Sequence, residues 1–146
     1  MVTEVKDSQA LATELRPVLL RLTRELKREI HSLGVTGGQA SLLVLIKQTP
    51  GITAKQLAEL ERVSAAAMSV SLGRLEKAKL IERTRGEDRR CVGVSLTAVG
   101  EKVLRSVKQR RTAWLAARLK QLDNEQRDAI DAALPALASL LEANPA

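Results

Sequence analysis

Aromatic residues are almost missing from this chain: Trp114 stands alone, with no Phe or Tyr. The stacking platforms on which RNA-recognition sheets and single-strand binders depend are therefore absent. Cysteine and histidine are as scarce, with Cys91 and His31 each single. One cysteine excludes an intramolecular disulfide and suits a reducing compartment. One of each leaves too few soft ligands for a zinc site and disfavours a Cys-His nucleophile pair. No run approaches the ~18 uninterrupted apolar residues of a membrane span. The segment MVTEVKDSQ is too acidic and polar for a signal peptide, so the expected location is the cytoplasm, with no membrane partner. No nucleophile paired with a base, no paired carboxylates and no phosphate-binding glycine loop stand out, which argues against an enzyme and calls for no cofactor.

What is present is apolar and basic. Of 146 residues, 45% are hydrophobic and 28% charged, the balance of a folded domain, and 24 Lys+Arg against 17 Asp+Glu leave a net charge of +7. That charge is uneven: residues 74–100 carry a net +3, residues 101–120 a net +6 and residues 121–146 a net −4. Such a basic surplus attracts polyanions or small anionic ligands, and Arg105, Lys108, Arg110 and Arg111 are its densest run.

Leu11, Leu15, Leu19, Leu22, Leu26, Ile30 and Leu33 recur at helical steps, which predicts one long amphipathic helix ending at Gly34, kinked at Pro17. Thr36-Gly-Gly-Gln39 and Thr53-Ala-Lys-Gln56 are capping boxes that open a second and a third helix, and Thr49-Pro50-Gly51 separates them. Ser64 caps a fourth helix whose buried face would be Met68, Leu72 and Leu75. The period then changes to two: Lys79–Arg83 reads as a strand, Thr84–Arg89 as a polar turn, and Val92, Val94 and Leu96 as the returning strand. Thr97 caps a long helix with Val107, Trp114 and Leu115 on its apolar stripe, and Asp123-Asn-Glu-Gln126 opens a last one, bent at Pro135. The fold class is mainly α with a small β-hairpin: a helix-turn-helix followed by a wing, within a single domain.

A helix-turn-helix offers its second helix to the major groove, and the hairpin reaches towards the minor groove beside it. The candidate contacts are Ser64, Ala65, Ala66, Ser69, Val70 and Arg74 on the fourth helix. Thr53 contributes a phosphate-facing helix start, and Arg85, Arg89 and Arg90 lie at the hairpin.

Gly51-Ile-Thr-Ala-Lys-Gln-Leu-Ala58, Leu75-Glu-Lys-Ala-Lys-Leu-Ile-Glu-Arg83, and Asp88-Arg-Arg90 running into Val94-Ser-Leu-Thr-Ala-Val-Gly100 resemble the MarR (multiple antibiotic resistance regulator) family of winged-helix repressors. The resemblance implies an obligate homodimer that binds a palindromic operator in double-stranded DNA and is released by a small anionic or phenolic effector or an oxidant. It implies winged helix-turn-helix residues 36–98 flanked by dimerisation helices at 8–34 and 98–143, with Trp114 in the dimer core. On the family pattern Arg90 enters the minor groove at the wing tip and Asp88 holds the wing in shape. Redox-responsive relatives carry their sensing cysteine in the first helix, where this chain has none, so Cys91 reads as a small hairpin residue.

Three departures from that pattern carry physical expectations. Lys79 stands where a helix-terminating glycine is usual, which predicts a left-handed lysine. Gly73 inside the fourth helix costs ~1 kcal/mol relative to Ala. The outer face of that helix, Ala65, Ala66, Ser69 and Val70, has no charge, so phosphate-only binding by a low-specificity architectural protein is the alternative function.

Overall fold

The computed structural model describes residues 6–85 and 92–142. Helix α1 (Ser8–Glu29) begins where the Asp7 carboxylate accepts the Ala10 N–H at 2.8 Å, and it runs unbroken through Pro17. It stops short of the expected Gly34. From Ile30 the chain tightens into a 3-10 turn, His31–Leu33, closed by Gly34 at φ 80°. Ile30 is fully buried and Leu33 half-buried. Three residues apart, they face the core together in a 3-10 turn, which accounts for the early end of the α-helix.

Helices α2 (Gly37–Gln48) and α3 (Ala54–Glu61) each open on the capping box their sequences predict. Thr36 and Thr53 accept from the backbone N–H of Gln39 and Gln56, whose side chains accept in return from the threonine N–H. In α4 (Ala65–Lys77) the Ser64 hydroxyl accepts the Ala67 N–H at 3.0 Å. Its buried residues are Met68, Leu72 and Leu75, as the helical period requires.

Strand β1 (Ile81–Arg85) pairs antiparallel with β2 (Val92–Leu96), from Ile81 opposite Leu96 to Arg85 opposite Val92. The expected strand began at Lys79. Lys79 takes the left-handed conformation expected of it (φ 63°) and turns the chain with Leu80, so the strand starts two residues later. Asp88, Arg89, Arg90 and Cys91 lie outside the described residues.

Helices α5 (Ala98–Lys120) and α6 (Asn124–Glu142) complete the chain, α6 running unbroken through Pro135. Two compact units result, Met1–Arg111 and Thr112–Ala146. In the first, Leu43, Ile52, Leu57, Leu72, Leu75 and Val107 are among the side chains removed from water, each worth about 1.5–3 kcal/mol of burial. In the second, Asp123 and Gln126 cap each other reciprocally at the start of α6, and the Arg118 guanidinium lies 5.0 Å from the Trp114 ring centroid. Among the described residues, no helix is long and apolar enough to cross a membrane.

Candidate nucleic-acid interface

The turn between α3 and α4 is built by Arg62, which takes the left-handed conformation (φ 56°) where glycine is commonest. Its N–H returns to the Ala58 and Glu59 carbonyls, and the Val63 N–H reaches the Ala58 carbonyl at 3.1 Å. This closure satisfies the last carbonyls of α3 and reverses the chain within three residues, so α4 crosses α3 as the second arm of a helix-turn-helix. Met68, Leu72 and Leu75 anchor one side of α4 in the core, which fixes what the other side presents.

At about 100° per residue, Ala66, Val70, Gly73 and Lys77 fall opposite the buried stripe, Ser69 lies at their edge, and Ala65 sits nearer the Leu72 side. All six are exposed. The outward face of α4 therefore presents methyl and isopropyl groups, one glycine and a terminal lysine, with the Ser69 hydroxyl at its edge and Glu76 next to Ser69 on that flank, paired with Arg83. Lys77 was not singled out from the sequence, although the helical period of its own helix places it with Ala66 and Val70. Arg74 is exposed at the flank of this face and lines a cavity of about 220 Å³ with Thr36, Gln39, Glu61 and Ser71.

The hairpin is held to the helix-turn-helix at two places. Thr53 bridges to Gly93 of β2, and the Val94 N–H donates to the Ile52 carbonyl at 2.8 Å, so the residues that start α3 also join the edge of the hairpin. Gly93 is tightly confined there: a Cβ would lie 3.2 Å from Thr84 Oγ1 and 3.3 Å from the Gly51 carbonyl oxygen. On the other side, Arg83 Nε donates to Glu76 Oε2 at 2.9 Å, tying β1 to the last turn of α4. That pair is solvent-accessible and contributes orientation more than stability. Thr53 and Ser64 are thus brought to the starts of α3 and α4. Arg85 ends β1 and is the last described residue before the expected wing tip.

A second cavity, about 190 Å³, lies among α1, α2 and the middle of α5, lined by Thr23, Leu26, Lys27, Gly37, Ser41 and Arg111. The Arg111 Nε is buried and has no hydrogen-bond partner among the described residues. Gly37 is what admits the lysine, since a Cβ there would lie 2.7 Å from Lys27 Cγ. Two cations and two hydroxyls punctuate a lining that is mostly apolar, and the cations give the pocket a positive potential. Of the basic run noted in the sequence, only Arg111 lines it, while Arg110 turns away to donate to Ser32 Oγ at 3.1 Å.

Comparison with known proteins agrees with this architecture. The MarR family profile matches residues 35–92. An uncharacterized HTH-type transcriptional regulator of Mycobacterium bovis is 30% identical over 141 residues, covering 95% of this chain and 99% of that protein. The HTH-type transcriptional repressor MdtR of Bacillus subtilis is 29% identical over 113 residues, 77% of this chain and 73% of its own. Among solved structures, a Pseudomonas aeruginosa protein described as a transcriptional regulator superposes with a TM-score of 0.82 at 30% identity, covering 96% of this chain and all of that one.

Proposed function

This chain belongs to the MarR family of HTH-type transcriptional regulators, and from that premise we propose that it is a ligand-responsive repressor that binds a palindromic operator as a homodimer in the cytoplasm. The observation that carries the proposal is the outward face of α4: exposed, with Lys77 at its end and its flanking Glu76 held by Arg83, and oriented by its own core stripe and by the hairpin tied to α4 and to the start of α3. In this reading α4 enters the major groove, Thr53 and Ser64 meet phosphates, and Arg74 and Arg85 flank the contact. Arg89 and Arg90 extend it into the minor groove, with Asp88 shaping the wing. Ala65, Ala66 and Val70 offer apolar contact to thymine methyl groups, and Ser69 a permissive hydroxyl.

Each compact unit also leaves apolar side chains in water: Leu11, Leu19, Leu20 and Leu22 on α1, and Ile130, Leu134 and Leu140 on α6. Stripes of this size on α-helices call for a partner surface, and a second copy supplies the same stripes by symmetry. The single-domain reading with dimerisation helices at 8–34 and 98–143 rests on that surface. The repressor reading draws support from the relative MdtR, named a repressor. Ligand response draws support from the Arg111 cavity, whose unmatched guanidinium nitrogen suits a small anion better than a neutral phenol.

The decisive experiment is a competition titration of the selected duplex against random duplex at physiological salt, with sedimentation measured alongside. A specific regulator prefers its site by a factor on the order of a thousand or more and sediments as a dimer. A ratio near unity would establish the architectural alternative, which the lack of charge at Ala65, Ala66, Ser69 and Val70 also permits.

A further inference from the structure

Gly73 occupies an interior position of α4, where glycine weakens a helix relative to alanine. None of the usual internal reasons for a glycine applies. Its φ is not positive; among the described glycines only Gly34 and Gly51 are left-handed. It is not crowded, because a Cβ built there meets nothing within 4 Å among the described residues, whereas one at Gly100 would lie 2.0 Å from the Leu80 carbonyl oxygen. It ends no helix, since α4 continues to Lys77. The fold thus carries a weakened helix with no gain inside the molecule, and the gain must come from something that approaches from outside.

The position identifies that approach. Gly73 lies one turn beyond Val70 and two beyond Ala66, on the exposed face opposite Met68, Leu72 and Leu75. We infer that Gly73 sets how deeply α4 seats in operator DNA: without a Cβ, the helix backbone itself comes into van der Waals contact with the edges of the base pairs. This deepens the reading above and rests on its assignment of α4 to the major groove. Its Cα–H groups meet base-edge oxygens as weak donors at that distance, while Val70 one turn earlier reaches a thymine methyl and Lys77 one turn later reaches the phosphate rim. A methyl at position 73 would lift the helix and loosen all of these together. Specificity for the operator is then a matter of close fit, which accounts for a reading face that has no Arg-guanine or Gln-adenine pair to offer.

The test uses the full chain and a duplex selected by it from a random library, with three proteins: wild type, Gly73→Ala and Ala66→Asp. The Gly73→Ala protein is expected to melt at or above the wild-type temperature. Its affinity for the selected duplex should fall about tenfold or more, with random-duplex binding within about twofold of wild type. Wild-type affinity of Gly73→Ala for the selected duplex would overturn the inference, as would a lowered melting temperature, which would reveal an internal role for the glycine. Ala66→Asp separates the two levels, since a carboxylate on this face repels the groove. If it abolishes binding while Gly73→Ala does not, α4 remains the reading helix and only the role of Gly73 falls. If Ala66→Asp binds as wild type, the assignment of α4 itself falls.

Discussion

The Thr97 hydroxyl donates to the Lys79 carbonyl at 2.6 Å while accepting the Gly100 N–H at 3.0 Å. The Thr97 N–H reaches the neighbouring Leu80 carbonyl at 3.0 Å. The cap of α5 and the turn that leaves α4 are therefore one hydrogen-bonded unit, and the left-handed geometry of Lys79 is what aims its carbonyl at Thr97. Helix α4, the hairpin and the long helix α5 all meet there.

Lys79→Gly should stabilise the fold by about 1 kcal/mol, because glycine adopts φ 63° without the Cβ clash, a gain reduced by its freer unfolded state. Thr97→Val keeps the shape and removes both hydroxyl bonds, and should cost about 1–2 kcal/mol. Urea unfolding of the two variants beside wild type measures both signs.

Gly100→Ala should be far more damaging than its size suggests. The added methyl would lie 2.0 Å from the Leu80 oxygen and 3.0 Å from its carbonyl carbon, and both are backbone atoms fixed by the turn just described. A loss of about 3 kcal/mol or more in the unfolding free energy is expected. A melting temperature like that of wild type would contradict the close approach of α5 to this turn.

Capping residues were the most legible part of the chain. Thr36/Gln39, Thr53/Gln56, Ser64 and Asp123/Gln126 act within three residues of themselves, so their spacing alone specifies the hydrogen bonds. The buried face of α4 was legible for the same reason, as a local period. The end of α3 is less regular: Leu60 is 59% exposed, while Leu57 and Ala58 fill the core side of this two-turn helix. The left-handed Lys79 was legible, but its bond to Thr97, eighteen residues away, was not. The Arg111 cavity was the least legible, since it joins α1, α2 and α5 and no local pattern distinguishes Arg111 from Arg110.

Acid should erode one link between α2 and α5. Lys47 Nζ donates to Glu101 Oε1 at 2.8 Å, and that hydrogen bond first, then the charge of Lys47, hold the Glu101 carboxyl below the usual carboxylate range. A depressed folded-state value adds stability above the unfolded pKa, and this is lost as pH falls through the folded one. Wild type should therefore exceed Glu101→Gln in urea midpoint at neutral pH, with the gap closing on acidification through and below the carboxylate range. Because the pair is solvent-accessible, added salt should narrow the gap at neutral pH.

Arg111 offers the sharpest test of ligand response. Its buried Nε shares a pocket with Lys27, Thr23 and Ser41, so an anionic head group would satisfy the guanidinium and the ammonium together while its apolar body rests on Leu26. Benzoate is a suitable probe, with benzamide as its neutral counterpart of the same shape and phenol as the hydroxyl alternative. Operator release measured by fluorescence anisotropy should need the least benzoate, and benzamide should be nearly inert. Arg111→Gln should raise the benzoate concentration for half-release about tenfold or more, the scale of one lost charge-assisted hydrogen bond. The same variant should bind the operator as wild type when no ligand is added, because the pocket is built from α1, α2 and α5 and not from the outward face of α4. Equal potency of benzoate and benzamide, or unchanged release from Arg111→Gln, would place the effector elsewhere.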